Sequence, residues 1–111
     1  MKPIEKYIEA MENKDFAGLA ELFTRDGILC DYCTAASSSQ KEFHLYGRET
    51  INMFFRNKFG FRQYSISEAE VANEKQAEFI ANFGGYNIMA IATVQEVTED
   101  GFIKRLTVRP K

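Results

Sequence analysis

Gln76-Ala77-Glu78-Phe79-Ile80-Ala81-Asn82-Phe83-Gly84-Gly85 alternates in polarity and then stops at a glycine pair. Successive side chains of an extended chain point to opposite faces, so Ala77, Phe79, Ala81 and Phe83 share one face and Gln76, Glu78 and Asn82 the other. Gly84-Gly85 suits a tight hairpin, whose central residues need positive φ. Working outward, Asn73-Glu74 and Asp100-Gly101 mark the neighbouring turns, and the spacing predicts strands over 61–72, 75–83, 86–98 and 102–109. Strands joined by consecutive hairpins form an antiparallel meander.

Upstream of residue 61 the pattern is helical. Ile4, Tyr7, Ile8 and Met11 form the stripe of a helix over 3–13, with Pro3 suited to its first turn. Asp15 reads as an N-cap, and Phe16, Leu19, Ala20 and Phe23 repeat the stripe over a second short helix that Asp26-Gly27 closes. Ile28 to Cys33 is an extended apolar run carrying one carboxylate, Asp31, on the same face as Leu29. Thr34 to Gln40, with Ser37-Ser38-Ser39 at its centre, is a polar loop before a short strand near 42–46. Gly47 precedes a third helix over 48–59, which buries Ile51, Phe54, Phe55 and Phe59, carries Glu49 in its first turn and Arg56 and Lys58 in its last, and stops at Gly60. Three helices against one meander must curl it to cover their stripes. The expected architecture is α+β, a single domain over 1–111, with a cone-shaped curved antiparallel sheet wrapped around the helices and enclosing a pocket.

Ten Phe and five Tyr suit the walls of such a pocket as well as an ordinary core. The net charge of −2 and the absence of any long basic run argue against nucleic-acid binding. No stretch approaches the ~20 apolar residues of a membrane span, and Met1-Lys2-Pro3 leads straight into a helix, so a cytoplasmic location is expected. Cys30 and Cys33 have C-x-x-C spacing, but they fall in a strand rather than at a helix N-terminus. Zinc would need two further ligands, and the lone His44, a surface or rim residue, cannot supply both. Free thiols and no metal or organic cofactor are expected.

The order of elements, together with Tyr7-Ile8-Glu9-Ala10, Asp15, Leu19, Leu22-Phe23, Asp26, Asp31, Gly47-Arg48-Glu49-Thr50-Ile51 and Phe54-Phe55, resembles the nuclear transport factor 2-like superfamily of cystatin-like α+β folds. The likeness is to its ketosteroid isomerase and polyketide cyclase branches. Most of these positions serve the fold. Tyr7 and Asp31 differ, because they coincide with the isomerases' oxyanion-donating tyrosine and proton-shuttling aspartate. Moving a double bond beside a carbonyl requires a carboxylate to take and return a proton, and a donor at the carbonyl oxygen. Thr93 stands where the isomerases keep a protonated aspartate, and a hydroxyl is a poorer donor.

Each residue also has a plainer reading. Asp31 would equally serve as a hydrogen-bonded acid capping the strand end, and Tyr7 as a core residue with its hydroxyl bonded to a neighbour. Thr93 and Gln95 share an alternating face with Met89 and Ile91, which makes Met89, Thr93 and Gln95, with Phe54 and Phe55, the candidates for lining the pocket. The leading functional reading is a cofactor-free isomerase, cyclase or dehydratase acting on a small apolar carbonyl compound, with Asp31 as base and Tyr7 as donor. A non-catalytic ligand-binding or dimerisation module stands beside it, and a partner-binding accessory domain is a third reading. A homodimer is expected, because both faces of the strand from Ile88 to Val94 carry apolar residues and the outer one needs a cover.

Overall fold

Helices and strands follow in the expected order in a computed structural model that describes residues 1–34 and 38–111. They are α1 (Pro3–Glu12), α2 (Phe16–Glu21), β1 (Phe23–Asp31), β2 (Phe43–Tyr46), α3 (Arg48–Phe61), β3 (Ser65–Val71), β4 (Gln76–Asn82), β5 (Asn87–Val97) and β6 (Ile103–Pro110). The strands form one sheet in the order β2-β1-β6-β5-β4-β3. Every pairing is antiparallel except β1 with β6, where the chain's first strand lies parallel to its last. Register shifts interrupt β1, β3 and β5, and such bulges add twist and bend a sheet. The curled inner face meets α1 through β3, β4 and β5, and α3 through β1 and β2.

Local chemistry explains the boundaries. Asp15 caps α2 by accepting from the Gly18 N–H at 3.0 Å. Gly47 has φ of 98°, a conformation strained for any side chain, and its N–H donates to the Gly27 carbonyl at 2.7 Å. Arg48 then donates through Nε and an Nη to the Phe23 carbonyl at 3.0 and 2.6 Å, which ties the start of α3 to the start of β1. The Gly47-Arg48-Glu49 stretch is thus a clasp within the fold.

Two expected boundaries move. The second helix ends at Glu21, so Phe23 opens β1 and Asp26-Gly27 lies within that strand. Phe23 is fully buried in the strand, and burial alone satisfies the periodic position that suggested more helix. The third helix runs past Gly60, which does not take the positive φ of a stop, and the strand expected from 61 begins at Ser65. Of the polar loop over Thr34 to Gln40, residues 35–37 lie outside the described residues. Among the described residues no helix is long and apolar enough to cross a membrane.

Candidate functional site

Asp31 ends β1 on the inner face and is almost fully buried. Both carboxylate oxygens are engaged. Oδ1 accepts the Cys33 backbone N–H at 2.8 Å, and Oδ2 accepts from Lys58 Nζ at 3.2 Å. Lys58, only 9% exposed, reaches Asp31 from the last turn of α3. Its ammonium lies over the rings of Tyr64, Phe54 and Phe83, at 4.1, 4.9 and 5.4 Å from their centroids. A buried ammonium is tolerated only with such compensation, here one carboxylate and the electron-rich faces of three rings.

The rings continue as a chain of contacts from Phe43 through Phe54, Phe55, Phe59, Tyr64 and Phe83 to Tyr86, with centroids 5.1 to 6.4 Å apart. Beside it opens a cavity of about 340 Å³. Phe43, Phe54 and Phe83 form apolar wall, Cys33, Lys58 and Tyr64 add polar groups, and Asn57, Arg62 and Gln63 contribute from the end of α3.

Charge links this cluster. Burial pushes the Tyr7 phenol well above its ordinary range, and the charges of Asp31 and then Cys33 add to the effect. Burial likewise raises Tyr64, followed by Asp31, Tyr7 and Cys33. The Cys33 thiol is pushed up to about 12, first by burial and then by Asp31, with Lys58 opposing. At neutral pH both phenols therefore keep their protons and are hydrogen-bond donors, and Cys33 is a neutral thiol rather than a nucleophilic thiolate. Cys30 and Cys33 are both buried and free, and among the described residues no three side chains are grouped to hold a metal.

Of the residues expected at the site, the structure brings Tyr7 and Asp31 into electrostatic reach of one another, and Phe54 lines the cavity. Phe55 sits behind it, buried against Phe54 and Phe59. Met89, Thr93 and Gln95 are a correction, because they lie on the outer face of β5. Ala90, Ala92 and Val94 are the residues that β5 buries. Met89 is 56% exposed, Thr93 accepts from Gln76 Nε2, and Gln95 accepts from Arg105 and Thr107. Alternation separates two faces without saying which turns inward, and here the inward face carries the small residues that let α1 approach. His44 stands on the outer face too, its ring edge-on to Tyr32.

Lys58, Tyr64, Phe83 and Cys33 were not among the expected site residues. The signal for Lys58 was its spacing, since it continues the buried line of Ile51 and Phe55 on α3. A lysine in such a line needs a buried partner, and Asp31 is the acid available on the facing strand.

No family model matches the chain, and no curated protein matches it significantly. Solved structures do match. A candidate polyketide cyclase from Xanthomonas campestris superposes with a TM-score of 0.70 at 16% identity, covering 98% of this chain and 87% of that one. A computationally designed 17-OHP binder gives 0.68 at 14% identity, covering 98% and 88%. An NTF-2 like protein of unknown function from Burkholderia xenovorans gives 0.68 at 12% identity, covering 98% and 80%.

Proposed function

This chain has the nuclear transport factor 2-like, cystatin-like fold, and from that premise we propose that it binds a small apolar molecule through an oxygen acceptor such as a carbonyl. The observation that supports this most is the Lys58 ammonium, buried between Asp31 and three ring faces at the edge of an aromatic cavity. An ammonium has three N–H donors, and Asp31 takes one. The donors left over, with the Tyr64 hydroxyl, are the polar complement of a ligand oxygen, and Phe43, Phe54 and Phe83 are the complement of its apolar body. Titration of the labelled protein with acetonaphthone, a neutral aromatic ketone, tests this by NMR. Shifts confined to the cavity lining, at Cys33, Phe43, the last turns of α3, Tyr64 and Phe83, weakened by Phe54→Ala, are expected; shifts elsewhere, or none, refute it.

A second reading is proton transfer next to a carbonyl, in the manner of an isomerase, cyclase or dehydratase, with Asp31 as base and Tyr7 as donor. It is favoured by the coupling of the Tyr7 phenol to Asp31 and by burial that keeps the phenol protonated. Asp31 would first have to release Lys58, because both of its oxygens are engaged. Solvent deuterium exchange into a ketone α to the carbonyl is the readout. Asp31→Asn should lower it about 10²–10⁴-fold, the usual contribution of one general base. No exchange above buffer by the unaltered protein would leave binding as the whole function.

We also infer that a second copy of the chain covers the outer sheet face, where Tyr46 and Met89 are exposed.

A further inference from the structure

The charges around the cavity point to a narrower class of ligand. Two cations, Lys58 and Arg62, line it, and Asp and Glu are missing from its described lining. This polarity does not come from the composition of the protein, whose net charge is −2. Asp31 lies behind Lys58 with both oxygens occupied, so it neutralises that ammonium without presenting a free carboxylate to a ligand. Arg62, the residue that follows α3, accepts the Tyr64 N–H through its backbone carbonyl, but its guanidinium has no hydrogen-bond or ion-pair partner among the described residues. The neighbouring titratable groups Tyr7, Cys33 and Tyr64 all stay neutral at pH 7. Pairing Asp31 with Lys58 leaves one net positive charge at the cavity, supplied by Arg62.

Resting on the reading of the cavity as a ligand site, we infer that its ligand is an apolar monocarboxylate, with the carboxylate engaged by Lys58 and Arg62 and the hydrocarbon against Phe43, Phe54 and Phe83. Charge-assisted hydrogen bonds are about twice as strong as neutral ones, and one unit of negative charge matches the excess. A cationic ligand is disfavoured twice over. The aromatic faces that would attract it are already occupied by the Lys58 ammonium, and no free acid among the described lining balances it. A phosphate or nucleotide would bring more charge than one unpaired cation offsets, and would set polar groups against phenylalanine rings.

The experiment compares naphthoate, its neutral near-isostere naphthamide, and naphthylmethylammonium on the same protein by calorimetry, with NMR shifts to locate binding. Naphthoate is expected to bind in the cavity at least tenfold more tightly than naphthamide, and the ammonium compound not at all. In Arg62→Gln, an exposed position whose replacement spares the core, the preference for naphthoate over naphthamide should shrink at least threefold. Equal affinity for naphthoate and naphthamide, or an unchanged preference in Arg62→Gln, overturns the carboxylate inference and leaves the small-molecule reading standing. Failure of all three compounds, and of acetonaphthone, to bind overturns both.

Discussion

Two regions of the sheet's inner face differ in side-chain size and in what covers them. On β4 and β5, beneath α1, the face carries four alanines, Ala77, Ala81, Ala90 and Ala92, around the single ring of Phe79, all sealed from solvent. Where β1 faces α3, it carries Asp31, and α3 answers with Lys58 and the rings around it. Small residues let a helix come down onto the sheet and close the space. A buried ion pair among large rings cannot collapse in the same way, because each charge must keep its partner, and a void of about 340 Å³ remains beside it. The first region is closed by packing, and the second exchanges some packing for a buried ion pair beside an open cavity.

The comparison breaks most sharply at the ion pair. Lys58→Met leaves Asp31 buried without its counter-charge, which costs about 3–5 kcal/mol of stability in urea unfolding. Combining it with Asp31→Asn removes both charges, and most of the loss should return. A Lys58→Met variant as stable as the unaltered protein would mean that the pair does not constrain this region.

A test by added volume gives the next largest effect. Ala92→Leu must force apart α1 and a packed sheet, costing about 1–3 kcal/mol. Cys33→Leu adds bulk at the wall of the cavity, where there is room, and should cost under about 1 kcal/mol while weakening ligand binding. Equal costs at the two sites would erase the distinction between a closed and an open region.

Alkaline pH separates the regions without mutation, because the raised groups cluster around Asp31. A group whose folded pKa is raised contributes stability that is fully present below its unfolded pKa and is lost as pH rises through the folded one. For Cys33 that window runs from 9.0 to about 12, and for Tyr7 and Tyr64 it opens at 10.0. The urea midpoint should therefore fall as pH climbs past 9, and in Cys33→Ala the fall should begin about one pH unit later. A flat profile to pH 11 in both proteins would show that these groups are not sealed as described.

Much of this was legible in the sequence because it rests on local chemistry. The period-two run from Gln76 to Phe83, the Gly84-Gly85 turn and the Asp15 cap are each decided by residues a few positions apart. Phe23 was ambiguous because a buried ring fits the end of a helical stripe and the start of an inner strand equally well. On β5, Met89, Thr93 and Gln95 look more like pocket residues than alanines do, and only the position of α1 decides which face turns inward. The Asp31–Lys58 pair spans |i−j| of 27, and neither residue's neighbours in sequence name the other. Both readings of Asp31 meet in one side chain, since Oδ1 caps the backbone of Cys33 while Oδ2 faces the cation at the cavity.

The smallest effect on stability is expected on the outer face. Met89 is more than half exposed there and touches neither the core nor the cavity lining, so Met89→Glu should change the stability of the chain by no more than about 0.5 kcal/mol. Assembly is a different matter. That face also carries exposed Tyr46, partly buried Ile91 on the strand with Met89, and the Arg109 guanidinium stacked on Tyr32 at 4.5 Å. Apolar and aromatic groups between flanking charges suit a contact between identical surfaces, where each residue recurs across a two-fold axis. The unaltered protein should sediment as a dimer at micromolar concentration, and Met89→Glu, which sets two carboxylates into that contact, should sediment as a folded monomer. If the unaltered protein sediments only as a monomer, the outer face is a solvated surface. If Met89→Glu remains fully dimeric, the contact lies elsewhere. Ligand affinity should be the same in both proteins, since the cavity opens on the opposite side of the sheet.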